Sequence, residues 1–264
     1  MDLSSIKMVV TDMDGTLLNA NHEVSSRFFE LFKKMKQRGI QFVAASGRQY
    51  SSMVSKLDSI KDDMIFISEN GAYVKRQEEV LLTTPIKTEN INDILKLMKN
   101  VKDAHPVLCS RNNAYVGGSS NKFINLLKEY YSEFEIVENQ SDITDEVLKV
   151  AIYHFESSEQ FIYPVVKHLE DSLKVKVSGA NWVDVSHQNA HKGFALEKVM
   201  KEYSIASNEV LIFGDYNNDI EMLRLSDYSF AMANAHSNVK EVAKFETANN
   251  NEFGVEVILE KLFN

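Results

Sequence analysis

The chain has 264 residues and is 44% hydrophobic, enough for one large domain or two modest ones. Its 38 acidic residues against 29 basic ones leave a net charge of -9, which argues against nucleic acid or an anionic membrane surface as a partner. A single cysteine, Cys109, excludes an internal disulfide, no apolar run reaches the ~18 residues of a membrane helix, and the start MDLSSIKMVV lacks a signal-peptide pattern, so a cytoplasmic protein is expected.

Residues 6–11 (IKMVVT) are a short apolar, β-branched run, the pattern of a buried strand, and the run stops at Asp12-Met13-Asp14-Gly15-Thr16. Phe28, Leu31, Phe32 and Met35 follow with the spacing of one buried helical face, Ser25 or Ser26 standing ready to cap the helix and Gly39 to end it. Residues 40–45 read as a second strand ending at Ser46-Gly47-Arg48, and 64–68 as a third ending at Glu69-Asn70-Gly71; residues 72–84 look like a hairpin. From about 86 to 186 the pattern changes. Helical periodicity at 89–100, 121–131 and 159–171 alternates with strand-like runs at 106–117, 148–155, 174–178 and 181–186, an inserted α+β domain.

The first pattern then resumes in residues 187–264, which join residues 1–85 as the main domain. Leu196, Val199, Met200 and Tyr203 repeat the helical stripe, and 209–213 read as a strand ending at Gly214-Asp215. A helix from about 218, a strand at 228–232 and helices at 237–244 and 254–262 complete the chain. Strands alternating with helices imply an α/β fold with a parallel, doubly wound sheet, which binds ligands at the carboxyl ends of its strands. Three polar clusters fall at such ends: Asp12-Asp14, Ser46-Gly47-Arg48 and Asp215-Asn218-Asp219.

Carboxylates gathered from these clusters repel one another by about 4 kcal/mol per pair at ~4 Å and an effective dielectric of 20, unless a cation lies between them. An all-oxygen set with open positions suits Mg²⁺. A plain turn is the simpler reading of Asp12-Met13-Asp14-Gly15. A calcium loop of the EF-hand kind fails, because Leu17 stands at its sixth position where glycine is needed and a strand precedes it. Ser46-Gly47-Arg48 offers a hydroxyl and backbone N–H groups before a helix, a place for phosphate. Lys192, in His191-Lys192-Gly193, opens a helix where the first pattern resumes and could neutralise Asp12 and a phosphate oxygen. Cys109, in an apolar strand, reads as packing.

These residues resemble the haloacid dehalogenase-like superfamily, in its Cof-type sugar-phosphatase branch. The matching motifs are DMDGTL at 12–17, SGR at 46–48, HKG at 191–193 and GDYNND at 214–219, joined by NGA at 70–72, AMANA at 231–235 and Phe253-Gly254-Val255. The resemblance implies a Rossmann-like core interrupted at 86–186 by a C2-type cap that selects the substrate. It implies that Asp12 attacks phosphorus and that Asp14 protonates the leaving alcohol and then activates water, which requires a raised Asp14 pKa, expected from a neighbouring negative charge. Mg²⁺ is implied on the Asp12 carboxylate, the Asp14 backbone carbonyl and Asp215, with Asp219 supporting or ligating. Ser46, Gly47, Lys192 and Asn218 are the implied phosphate contacts and Arg48 a substrate contact.

The departures from the branch are His191, where a small or polar residue is commoner, Ser46 for threonine, and Phe253 for an acidic residue. The expected function is a phosphatase of small phosphorylated metabolites, sugar phosphates foremost. A phosphomutase and a non-catalytic metabolite-binding protein are the alternatives. Arg111, Tyr115 and Trp182 are candidate specificity residues of the inserted domain, and the oligomeric state is not legible.

Overall fold

Five residues, Met8–Asp12, form the first strand (β1), all of them buried. Its side chains alternate between two apolar layers, Val9 on one face and Met8 and Val10 on the other. The structure, a computed structural model, describes residues 2–263 apart from 112, 119 and 132. Helix α1 (Ser26–Gln37) is capped by Ser25, whose hydroxyl accepts the Phe28 N–H at 3.0 Å, and it buries Phe28, Leu31, Phe32 and Met35. Strand β2 (Gln41–Ala45), helix α2 (Tyr50–Leu57), strand β3 (Ile65–Ser68) and the hairpin β4 (Tyr73–Arg76) and β5 (Glu79–Thr83) follow.

Residues 84–189 form a compact unit of their own. Its elements are α3 (Thr88–Met98), β6 (Ala104–Ser110), β7 (Ala114–Gly117), α4 (Asn121–Tyr130), β8 (Glu135–Val137), β9 (Val147–His154), α5 (Ser158–Phe161), α6 (Tyr163–Val166), β10 (Leu173–Val177) and β11 (Trp182–His187). Six strands make one sheet in the order β10-β11-β9-β6-β7-β8, and the residues packed on its two faces form separate apolar clusters.

Two expectations change in this unit. The run at 106–117 is two antiparallel strands, β6 and β7, rather than one. The helix expected over 159–171 is broken into α5, α6 and a 3₁₀ segment at Lys167–Asp171. Pro164, in the first turn of α6, has no N–H to donate into a continuous helix.

The remaining elements return to the first sheet: α7 (Lys192–Glu202), β12 (Val210–Gly214), α8 (Ile220–Leu223), β13 (Tyr228–Met232), α9 (Ser237–Val242), β14 (Phe245–Thr247) and α10 (Gly254–Leu259). The sheet runs β14-β13-β12-β1-β2-β3-β4-β5. It is parallel from β14 to β3 and antiparallel only in the β3-β4-β5 edge. Buried residues of α1, α2 and α10 pack on one face and those of α7, α8 and α9 on the other, which is the doubly wound, Rossmann-like α/β arrangement. From β1 the chain winds outward through β2 and β3, then returns to the other side of β1 as β12. Between β1 and β12 the strand order therefore reverses, which is where such sheets open a crevice for ligands.

Candidate active site

The parallel registers bring the polar clusters together. Asp12 closes β1 level with Ala45 of β2, so Ser46 lies just beyond it, and Thr11 is level with Phe213, so Asp215 emerges alongside. Asp12, Asp14, Ser46, Gly47, Arg48, Asp215, Tyr216 and Asn218 line one pocket of about 430 Å³. Lys192, first residue of α7, reaches the same place from below and is wholly buried. Its Nζ donates to Asp12 Oδ1 at 2.5 Å and to Asp219 Oδ1 at 2.6 Å. Asp219 Oδ2 accepts the backbone N–H groups of Asp215 (2.9 Å) and Tyr216 (3.1 Å), which ties down the loop that carries Asp215. Thr16 Oγ1 donates to Asp215 Oδ1 at 3.1 Å.

Two glycines permit this closeness. Gly15 has φ +81°, and a Cβ there would collide with the Asp215 carboxylate. Gly71 has φ +98°, and a Cβ there would sit 2.5 Å from the His191 carbonyl oxygen, at the start of α7.

Asp12, Asp215 and Asp219 each offer a carboxylate oxygen, all within 4.8 Å of one another. Burial pushes the Asp12 carboxyl well above the usual carboxylate range, the charges of Asp219 and Asp215 add to this, and Lys192 opposes it. Burial and then Asp219 raise Asp215 to about 6, against Thr16 and Lys192. Lys192 is held protonated: burial disfavours its charge, but Asp12 and Asp219 outweigh burial. One ammonium thus faces three carboxylates, and the group is short of positive charge. Asp12 Oδ2 is buried with no hydrogen-bond partner among the described residues. A hard divalent cation meets both deficits, and the all-oxygen donor set fits it. Both Asp219 oxygens are engaged, which leaves Asp12 and Asp215 with the freer oxygens.

Asp14 corrects one expectation. Its carboxylate stands apart from the acidic group of Asp12, Asp215 and Asp219. It points to Arg48 instead, taking Nε at 2.7 Å on Oδ2 and Nη2 at 2.6 Å on Oδ1, with His22 Nδ1 at 3.4 Å from Oδ1. Its pKa is lowered rather than raised. Partial burial acts upward, but the hydrogen bonds and charge of Arg48 outweigh it. The expected negative neighbour is a guanidinium.

The other candidates are placed as follows. Ser46 is buried, and its Oγ accepts the Arg48 N–H at 3.1 Å, so that N–H is already used. Asn218 Nδ2 donates to Asn70 Oδ1 at 2.9 Å. In the inserted unit Tyr115 is buried with its hydroxyl on Asp145 at 2.5 Å, Arg111 pairs with Glu146 at 3.6 Å, and Trp182 packs edge-on against Tyr153 and Tyr130. Cys109 is buried in packing, as expected. The helix expected from about 218 is a 3₁₀ turn, Asn217–Asp219, followed by the single turn of α8.

Thr16, Tyr216 and His22 were not singled out from the sequence. Thr16 and Tyr216 stand inside the two acidic motifs, a signal available in the sequence; His22 carries none.

The sequence model of the haloacid dehalogenase-like hydrolases matches residues 9–259. The 5-amino-6-(5-phospho-D-ribitylamino)uracil phosphatase YbjI of Escherichia coli is 31% identical over 98% of this chain and 96% of its own. A crystal structure from Eubacterium rectale superposes with a TM-score of 0.92 at 25% identity, covering 97% of this chain and 99% of the other. TM0651 of Thermotoga maritima superposes with a TM-score of 0.86 at 27% identity over 97% of each chain. The chain belongs to the haloacid dehalogenase-like hydrolases, in their Cof-type branch of phosphomonoesterases.

Proposed function

We propose that this protein is a Mg²⁺-dependent phosphatase that hydrolyses small phosphorylated metabolites, sugar phosphates foremost, through an aspartyl-phosphate on Asp12. The observation that carries the reading is the buried, unpartnered Asp12 Oδ2 beside Lys192 and Asp215. The carboxylates of Asp12 and Asp215, with the Asp14 backbone carbonyl, would hold the metal, and Asp219 supports them. When bound, Mg²⁺ neutralises phosphoryl oxygens, the main task in phosphoryl transfer.

The chain's own residues do the rest. Lys192 orients Asp12 by holding Oδ1, which fixes the carboxylate that bonds to phosphorus. The ester P–O bond breaks as Asp14 gives its proton to the leaving oxygen. Asp14 then takes a proton from water, which attacks the same phosphorus, frees phosphate and restores Asp12. Ser46, Gly47, Lys192 and Asn218 bind the phosphoryl oxygens.

The Arg48 clamp describes Asp14 in its basic form. For the acid step Arg48 must release Asp14, and a dianionic phosphate is the competing partner for its guanidinium. Residues 84–189 are read as the cap that selects the leaving group. The lone, buried Cys109 fits a reducing compartment, the cytoplasm.

The test is a turnover screen of p-nitrophenyl phosphate, sugar phosphates and 5-amino-6-(5-phospho-D-ribitylamino)uracil with Mg²⁺ or with EDTA. The last compound is included because the E. coli relative is named for it. Turnover in Mg²⁺ that disappears in EDTA and in Asp12→Asn is expected; turnover retained by that variant rejects the mechanism.

A further inference from the structure

Tyr216 is 55% exposed, one of few large apolar side chains so open among the described residues. A single exposed aromatic is ordinary surface. Two observations set this one apart. It lines the same pocket as Asp12, Asp14 and Asp215. It is also held there: its N–H bonds to Asp219 Oδ2 at 3.1 Å, and its ring stands edge-on to His236, with centroids 5.8 Å apart and planes at 80°.

His236 is itself fastened. Its N–H donates to the Asp215 carbonyl at 2.9 Å, and its Nδ1 accepts the Asn238 N–H at 3.2 Å, capping α9. The ring is thus anchored to the loop that presents Asp215. A side chain ordered in advance loses little freedom when it meets a ligand. The phosphate end of the pocket is polar and charged, so a flat apolar wall there has nothing to recognise in a phosphoryl group.

We infer that Tyr216 is the leaving-group contact of the main unit, stacking on a flat apolar face, a sugar's C–H face or a planar ring, carried close to the scissile phosphate. The inference rests on the phosphatase reading and narrows its substrates to ring-bearing monophosphates.

The test is titration calorimetry of the intact protein with Mg²⁺, using phenylphosphonate and methylphosphonate, which share the phosphoryl end and cannot be hydrolysed. Wild type should bind phenylphosphonate more tightly. Tyr216→Ala should cut that preference by about 5- to 10-fold and Tyr216→Phe should keep it, since the π face and not the hydroxyl makes the contact. An unchanged preference in Tyr216→Ala overturns the inference. So does equal weakening of both ligands, which would make Tyr216 a support of the Asp215 loop only. A wild type that binds both alike overturns it too and leaves the phosphate site standing. A wild type that binds neither removes the phosphatase reading, and this inference with it.

Discussion

Lys192 balances the site. It is buried and bridges Asp12 to Asp219, so its removal strands two carboxylates without their counter-charge. Breaking one partner out of a buried ion pair costs about 3–5 kcal/mol, and Lys192→Met is expected to destabilise the fold by that order in urea denaturation with EDTA. The loss should shrink with Mg²⁺ present, because a cation covers part of the same deficit; an equal loss in both conditions would place the cation elsewhere. Asp14 depends on Arg48 in the opposite sense. Arg48→Met removes the main group that lowers its pKa and leaves the burial that raises it, with only His22 still opposing, so the Asp14 carboxyl should titrate at higher pH in the variant, read by carboxyl ¹³C shifts.

The N-terminal end of α7 is placed by a turn 120 residues earlier in the chain. Glu69-Asn70-Gly71 passes so close to His191 and Lys192 that only a hydrogen fits at Gly71, and φ +98° there suits glycine alone. Gly71→Ala must move either the turn or the helix start. It is expected to cost about 2 kcal/mol or more in thermal or urea unfolding and to lower kcat by displacing Lys Nζ from Asp12. A substitution that changed stability with kcat intact would separate the turn from the site.

At the scale of the whole protein the acidic group links metal, pH and stability. Mg²⁺ at 100 times its dissociation constant should stabilise the fold by about 2.7 kcal/mol, seen as a melting shift against EDTA. Without metal, Asp215 is raised from 3.8 to about 6, and Asp12 is raised as well. A carboxyl with a raised folded pKa holds its proton more tightly in the fold than in the unfolded chain. Its contribution to stability is complete below about pH 4 and is lost as pH rises through about 6. The melting gap between Mg²⁺ and EDTA should therefore widen from pH 5 to pH 7.5, as the metal-free site becomes ionised and repulsive. A gap that stays constant over that range would count against the shared cluster.

The sequence by itself determined the buried strands and long helices of the main sheet, because each such strand is a local apolar run and each such helix a local stripe, as for Met8–Asp12 and for Phe28, Leu31, Phe32 and Met35. It also marked Asp12, Asp215, Asp219 and Lys192 as candidates, through their place at expected strand and helix ends and through the motifs that carry the family resemblance. The short edge strands Glu135–Val137 and Phe245–Thr247 escaped notice, being three residues long with too little alternation to read. Only the tertiary structure decided which partner each charge takes. Thr16 and Asp215 are 199 positions apart, and Asp14 finds Arg48 across 34. Such pairings follow from strand register and loop closure, which no local pattern encodes, and so the direction of the Asp14 pKa became visible only in the folded chain.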